Sequence, residues 1–235
     1  MHSNSCVLCR PIRCRQSLPT RLTASNTRTR IIVSSALGEA AYGAFRRLST
    51  TRIGGRCPVF TVISEEDSQR LRRFFIEFGR RALHALTPGG HVFIASNPLL
   101  SSMTFYALQE AGFEKRGEII RLVQTLRGGY KPKGSEADFP EVSVMPRACW
   151  EPWGIFRKPF DGTVADNLRR WGAGGLRRSG DVEPLKDVIA CSPTRGREKQ
   201  IAPHRSLKPQ RFLRKLTHAA LPLGIGIIYD RDTAR

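Results

Sequence analysis

From residue 64 onward the apolar positions fall into alternating helical and strand periods. Ser64 stands ahead of Glu65, Glu66 and Asp67, where a capping hydroxyl and first-turn carboxylates satisfy free amides and complement the helix dipole. Leu71, Phe74, Phe75, Phe78, Ala82 and Leu83 follow at helical spacing and make one apolar face. Arg72, Arg73, Arg80 and Arg81 fall mostly on the other faces. Thr87-Pro88-Gly89-Gly90 stops this helix, and residues 91–95 (HVFIA) read as a buried strand. Ahead of the helix, residues 58–63 (PVFTVI) form a short β-prone run.

A second helix is predicted over about 99–111, ended by Gly112, and a strand at 118–123. Residues 128–134 (GGYKPKG) are a loop, because glycines and a proline defeat both regular structures. Residues 142–146 and 154–157 are expected to be short strands flanking a Trp150-Glu151-Pro152-Trp153 turn. Residues 161–203 read as loop-rich and basic. A last helix over 208–220 sets Phe212, Leu213, Leu216 and Ala220 on one face, and 224–229 (GIGIIY) is the final strand. Alternating helices and apolar strands imply an α/β sheet with helices on its faces.

Composition adds charge to this picture. The 235 residues carry 39 Lys+Arg against 20 Asp+Glu, a net charge of +19. It divides as +9 over residues 1–57, +1 over 58–145 and +9 over 146–235, so the excess lies at the two ends. Basic segments bind polyanions by counterion release, and nucleic acid is the commonest partner. Compositional bias is the alternative, since 31 of the 39 cations are Arg. No stretch approaches eighteen uninterrupted apolar residues, which argues against a membrane-spanning helix. Six irregularly spaced Cys do not resemble a secreted disulfide scaffold, so the expected setting is reducing and cytoplasmic.

Residues 1–57, rich in Arg, Ser and Thr with Glu39 as their one acid, are expected to form a basic, disordered arm or a transit segment. Within it Cys6, Cys9 and Cys14 with His2 lack the second ligand pair of a structural zinc site, and no metal is expected. His84, beside the apolar helix face, reads as packing or surface. Lys131 and Lys133, near Tyr130 in the glycine loop, are candidates for phosphate contact, with a solvated loop as the alternative. Arg169, Arg170, Trp171, Arg177 and Arg178 interleave guanidinium groups with an aromatic and are the stronger nucleic-acid candidates. A merely solvated face is the competing account.

Four segments together resemble one family: residues 83–94 (LHALTPGGHVFI), 108–113 (LQEAGF), 151–159 (EPWGIFRKP) and 204–230 (HRSLKPQRFLRKLTHAALPLGIGIIYD). It is the DNA amino-methyltransferases that modify adenine N6 or cytosine N4, in the permuted order where the target half precedes the cofactor half. The resemblance covers about residues 64–230. It implies an α/β, Rossmann-like S-adenosylmethionine (SAM) methyltransferase sheet, with the cofactor at the carboxyl ends of the strands. Lys208 and Pro209 match the family's Lys-Pro pair beside the cofactor. Asp230 matches the acid that opens its Asp-Pro-Phe-x-Gly-x-Gly loop. Helix initiation at Pro209 is compatible with the same reading.

Two elements of the family pattern are missing. After Asp230 the chain continues Arg231-Asp232-Thr233-Ala234-Arg235 rather than into the glycine loop. No Asp-Pro-Pro-Tyr-type tetrapeptide, whose polar groups hold the target amine and whose ring stacks on the flipped base, precedes residue 64. Ser96-Asn97-Pro98-Leu99 is the nearest likeness, displaced in order and without the second proline or the aromatic. No catalytic residue is therefore assigned.

The resemblance implies an incomplete sheet divided as arm (1–57), target half (58–160), basic insert (161–203) and start of the cofactor half (204–235). It implies a SAM-dependent DNA methyltransferase of restriction–modification type, weak or inactive alone, with DNA and a complementing chain as partners. The alternatives are a non-catalytic nucleic-acid-binding remnant and a truncated product that does not fold.

Overall fold

The computed structural model describes residues 30–35, 64–123, 129–179, 182–191, 198, 200, 208–223 and 227–230. In chain order its elements are β1 (Arg30–Ser35), α1 (Glu65–Ala85), β2 (His91–Ala95), α2 (Ser101–Glu110), β3 (Glu114–Leu122), β4 (Trp150–Arg157), α3 (Val164–Trp171), β5 (Val188–Ala190), α4 (Gln210–Ala220) and β6 (Ile227–Asp230). The strands form one sheet in the order β5-β3-β4-β2-β1-β6. β6, β1 and β2 run parallel, β4 is antiparallel to both β2 and β3, and β5 is parallel to β3. β4 is thus the one reversed strand among those described, and the mixed α/β architecture agrees with the alternation in the sequence.

The α1–turn–β2 unit forms as its sequence predicts. The Ser64 hydroxyl accepts from the Asp67 amide at 3.2 Å, and three acids fill the first turn. At the other end Lys158 donates to the Leu83 and Leu86 carbonyls at 2.7 and 2.8 Å, satisfying acceptors the helix leaves open. Burial draws the Lys158 ammonium below its ordinary pKa. α2 occupies the predicted span less its ends, and Gly112 takes the positive φ that follows its cap.

Two apolar layers sandwich the sheet, and strand alternation assigns residues to each. Val92 and Ile94 of β2 and Phe156 of β4 pack under α1 and α2 with Phe75, Phe105 and Leu108. Phe93 and Ala95 of β2, Ile119 of β3, and Trp153 and Ile155 of β4 pack under α4 with Phe212, Leu216 and Ala220. Trp153 stacks edge-on against Phe212 at 5.1 Å between ring centroids.

Several expectations are corrected. Arg30–Ser35, inside the segment read as an arm, form β1 between β2 and β6, since parallel pairing on both sides supplies what composition does not advertise. The Trp150-Glu151-Pro152-Trp153 stretch is the start of β4, its Pro152 tolerated because β4's ladder needs no amide there. Residues 142–146 contain no strand and lie exposed on the β3–β4 connection. β3 starts at Glu114, four residues earlier than expected, over a bulge between Lys115 and Gly117. The stretch 161–203, read as loop, contains α3 and β5. Residues 58–63, Cys6, Cys9, Cys14, His2, Cys57 and Gly128 lie outside the described residues.

Candidate functional site

Because β6, β1, β2 and β3 run the same way, their carboxyl ends share one edge of the sheet, joined there by the start of the reversed β4. Open α/β sheets bind ligands along such an edge. Arg121 of β3 and Glu151 of β4 are register partners at this edge, on the α4 side of the sheet. Arg121 Nη1 donates to Glu151 Oε2 at 2.8 Å, and Lys208, two residues ahead of α4, donates to Glu151 Oε1. Trp153 Nε1 completes the set at 3.1 Å from Oε2. The Arg121 guanidinium lies over the Phe212 ring, 5.5 Å from its centroid.

All three charged side chains are largely removed from water: Arg121 retains 6%, Lys208 14% and Glu151 18% of its side-chain exposure. Burial pushes the Glu151 carboxyl up, but Lys208 and Arg121 more than reverse this, so it is held below the usual carboxylate range. Two cations share one carboxylate, and Arg121 Nε is buried without a hydrogen-bond partner. The cluster therefore carries both signs of charge with one cation in excess, against an aromatic wall of Trp153 and Phe212.

Of the residues singled out from sequence, Lys208, Pro209 and Asp230 relate to this edge. Pro209 is the N-cap residue of α4, its carbonyl accepting from Phe212 and Leu213 amides at 3.0 and 3.2 Å. Asp230 ends β6, in register with Val33 of β1. Ser96 follows β2 at the same edge, where its amide donates to Pro152 O and its hydroxyl lies 3.4 Å from Thr104 Oγ1. Asn97 closes a turn on itself by accepting from the Leu99 amide at 2.9 Å.

The basic candidates separate into two groups. Lys131 and Lys133 lie on the β3–β4 connection, which projects beyond the carboxyl edge; Gly129 and Met145, then Val144 and Tyr130, tie its two limbs together. Arg169, Arg170, Trp171, Arg177 and Arg178 sit at the opposite edge. The buried Asn167 side chain of α3 donates to Pro88 O (3.0 Å) and Ala173 O (2.7 Å), which bolts the helix to the turn that enters β2. Arg157 at the end of β4 donates to Gly174 O, and the Arg177 amide donates to Ala219 O near the end of α4. Glu151 and Arg157 stand at the two ends of β4, a separation of about 20 Å at the rise of an extended strand.

No protein-family model matches the sequence, and no curated protein does. Solved structures with a similar arrangement are DNA methyltransferases. The PvuII cytosine-N4-specific DNA methyltransferase matches with a TM-score of 0.49 at 9% identity, over 88% of this chain and 70% of its own. The M1.HpyAVI–SAM complex matches at 0.47 and 13% identity, over 89% and 76%. The DNA modification methylase TTHA0409 of Thermus thermophilus, complexed with S-adenosyl-L-methionine, matches at 0.46 and 13%, over 88% and 75%. At such identities and scores the likeness says nothing about which residues act.

Sequence reading missed Glu151, Arg121 and Asn167. The signal for Arg121 was present: a lone cation inside the apolar run Ile119-Ile120-Arg121-Leu122 calls for a buried partner. Glu151 was hidden by the proline after it, which suggested a turn. Among the described residues no group of three potential metal ligands occurs, and no helix is long and apolar enough to cross a membrane.

Proposed function

We propose that this chain is a SAM-binding domain of DNA amino-methyltransferase type, with its cofactor along the carboxyl edge between β6 and β4. The observation that carries the reading is the Lys208–Glu151–Arg121 cluster at that edge, beside the Lys-Pro start of α4. SAM presents an ammonium, a carboxylate and a sulfonium, and a two-signed cluster with one excess cation against aromatic walls fits such a ligand. Lys208, Pro209 and Asp230 would line its pocket. In the sheet order β4-β2-β1-β6 the strands of Glu151 and Asp230 are three spacings apart, about 14 Å. That is the scale of a molecule with a nucleoside at one end and an amino acid at the other.

When bound, SAM supplies an electrophilic methyl group, here directed to an exocyclic amino group of adenine or cytosine in DNA. The chain's own part is to orient the cofactor and exclude water beside it. Lys131 and Lys133 would contact phosphate next to that edge. We assign weak or no turnover to the chain alone, because no tetrapeptide for the target amine accompanies the pocket. The division into target half, basic insert and cofactor half, a complementing chain, a restriction–modification role and a cytoplasmic setting belong to the same proposal.

A second reading, a nucleic-acid-binding protein without cofactor affinity, is favoured by the five basic and aromatic residues lying away from the carboxyl edge. Calorimetric titration of the folded chain with SAM separates the two. Saturable binding weakened by Lys208→Ala supports the first reading. A chain that melts cooperatively and binds DNA but takes up no SAM supports the second.

A further inference from the structure

The end of the sheet opposite the candidate cofactor edge is built as a presented basic surface. Arg169, Arg170 and Trp171 form the exposed last turn of α3, and Arg177 and Arg178 are exposed on the segment that follows. Their backbone is anchored at separate points. Asn167 fastens α3 to Pro88 and Ala173, Arg157 holds Gly174 O, and the Arg177 amide is tied to Ala219 O. Gly172 and Gly174 take positive φ (67° and 115°), turning the chain sharply enough to set the two Arg pairs near each other. A merely solvated charge run needs no such fixing.

The acids do not neutralise this surface. Asp166 takes one guanidinium, that of Arg169 at 2.7 Å, and Arg178 donates to a neutral carbonyl, that of Val182. Arg170 lies over the Trp171 indole, 5.2 Å from its centroid, which holds a guanidinium in place without cancelling its charge. The Lys131–Lys133 connection differs, since Glu136, Asp138 and Glu141 lie along the same exposed stretch.

We infer that Arg169, Arg170, Arg177 and Arg178, with Trp171, form a phosphate-backbone contact surface for nucleic acid that is separate from the cofactor edge and independent of cofactor. It deepens the proposed function by naming where polyanion is held, and it rests on that reading only for the choice of DNA. A surface about 20 Å from Glu151 holds the backbone of a strand away from any base presented at the carboxyl edge. It contributes affinity without reading sequence.

The test is fluorescence anisotropy of a labelled DNA duplex of about 20 base pairs, and of the RNA duplex of the same sequence, across a salt series. The full chain is compared with Arg169→Gln/Arg170→Gln, Arg177→Gln/Arg178→Gln and, as an equal loss of charge elsewhere, Arg70→Gln/Arg73→Gln. Each pair in the surface should weaken binding about tenfold or more at low salt and lower the slope of log affinity against log salt by about two. The α1 pair should leave the slope unchanged. SAM titration should be the same in all four proteins. Binding of both duplexes makes the surface general for nucleic acid, and binding of DNA alone restricts it to DNA; either agrees with the inference. Equal losses in all three variants, or no binding by the parent chain, would overturn it. If the slopes behave as expected but no protein binds SAM, the surface stands and the methyltransferase reading falls.

Discussion

Lys208 and Glu151, 57 residues apart in sequence, form one buried ion pair that fixes the start of α4 against the start of β4. Glu151 is the sole carboxylate for two cations in the cluster, so its removal leaves both uncompensated. Breaking a buried pair from one side typically costs about 3–5 kcal/mol. Glu151→Gln should lie near the lower figure and Glu151→Ala near the upper one, read from urea midpoints. Because the folded carboxyl is held below its ordinary 4.5, its contribution is complete above pH 4.5 and is lost as pH falls through the folded value. The Gln variant should therefore lose less stability than the parent between about pH 5 and 3. Equal losses would show that the pair contributes nothing.

His91 opens β2 with 3% exposure, paired in register with Arg157. Burial lowers its pKa from 6.5 to about 4, with Arg157 and Arg116 adding repulsion. The folded imidazole is neutral where the unfolded one is protonated. Stability from this group is full above pH 6.5 and is lost as pH falls toward 4, by roughly 3 kcal/mol in all. His91→Phe keeps a flat ring beside Phe93 and removes the titration. Its stability should change less than the parent's by about that amount between about pH 7 and 4.5, measured by chemical denaturation at each pH.

The relation between sequence and fold differs from element to element, for physical reasons. α1 was legible because its cap, its acids and six apolar positions all agree on one helix. β4 was misread because Pro152 signals a turn when only neighbouring residues are considered, while its strand pairing is decided by β2 and β3, distant in sequence. β1 was missed for a related reason: Ile31-Ile32-Val33 is too short to stand out in an Arg-rich segment, and its stability comes from strands paired on either side. At the candidate site, Lys208, Pro209 and Asp230 came from resemblance. Arg121 and Asn167 could be found only once burial showed which polar side chains had to be satisfied.

Gly79 marks the crossing of α1 and α2. A Cβ there would lie 2.6 Å from Ala111 Cβ and 3.1 Å from Leu108 Cδ2. Alanine would gain about 1 kcal/mol in helix propensity, but overpacking a helix crossing costs about 1–3 kcal/mol. Since Ala111 Cβ cannot rotate away, the clash should prevail and Gly79→Ala should destabilise by about 1 kcal/mol. Adding Ala111→Gly should restore more of that loss than Ala111→Gly alone would predict. A double-mutant cycle of thermal unfolding measures the coupling, and a value near zero would show that the helices separate freely.

Asn167 is 5% exposed and spends its amide donors on two backbone carbonyls, Pro88 O and Ala173 O. Asn167→Asp keeps the shape and replaces those donors with a carboxylate facing two acceptors. The cost should be about 3 kcal/mol, concentrated where α3 meets the turn into β2. Hydrogen exchange should quicken in residues 164–175 and 87–90 while the Ile119–Trp153 ladder of β3 and β4 stays protected. The same loosening should lower DNA affinity through the displaced Arg169–Trp171 turn and leave SAM titration unchanged. Faster exchange spread evenly over the sheet would mean that Asn167 supports the whole fold rather than the placement of α3.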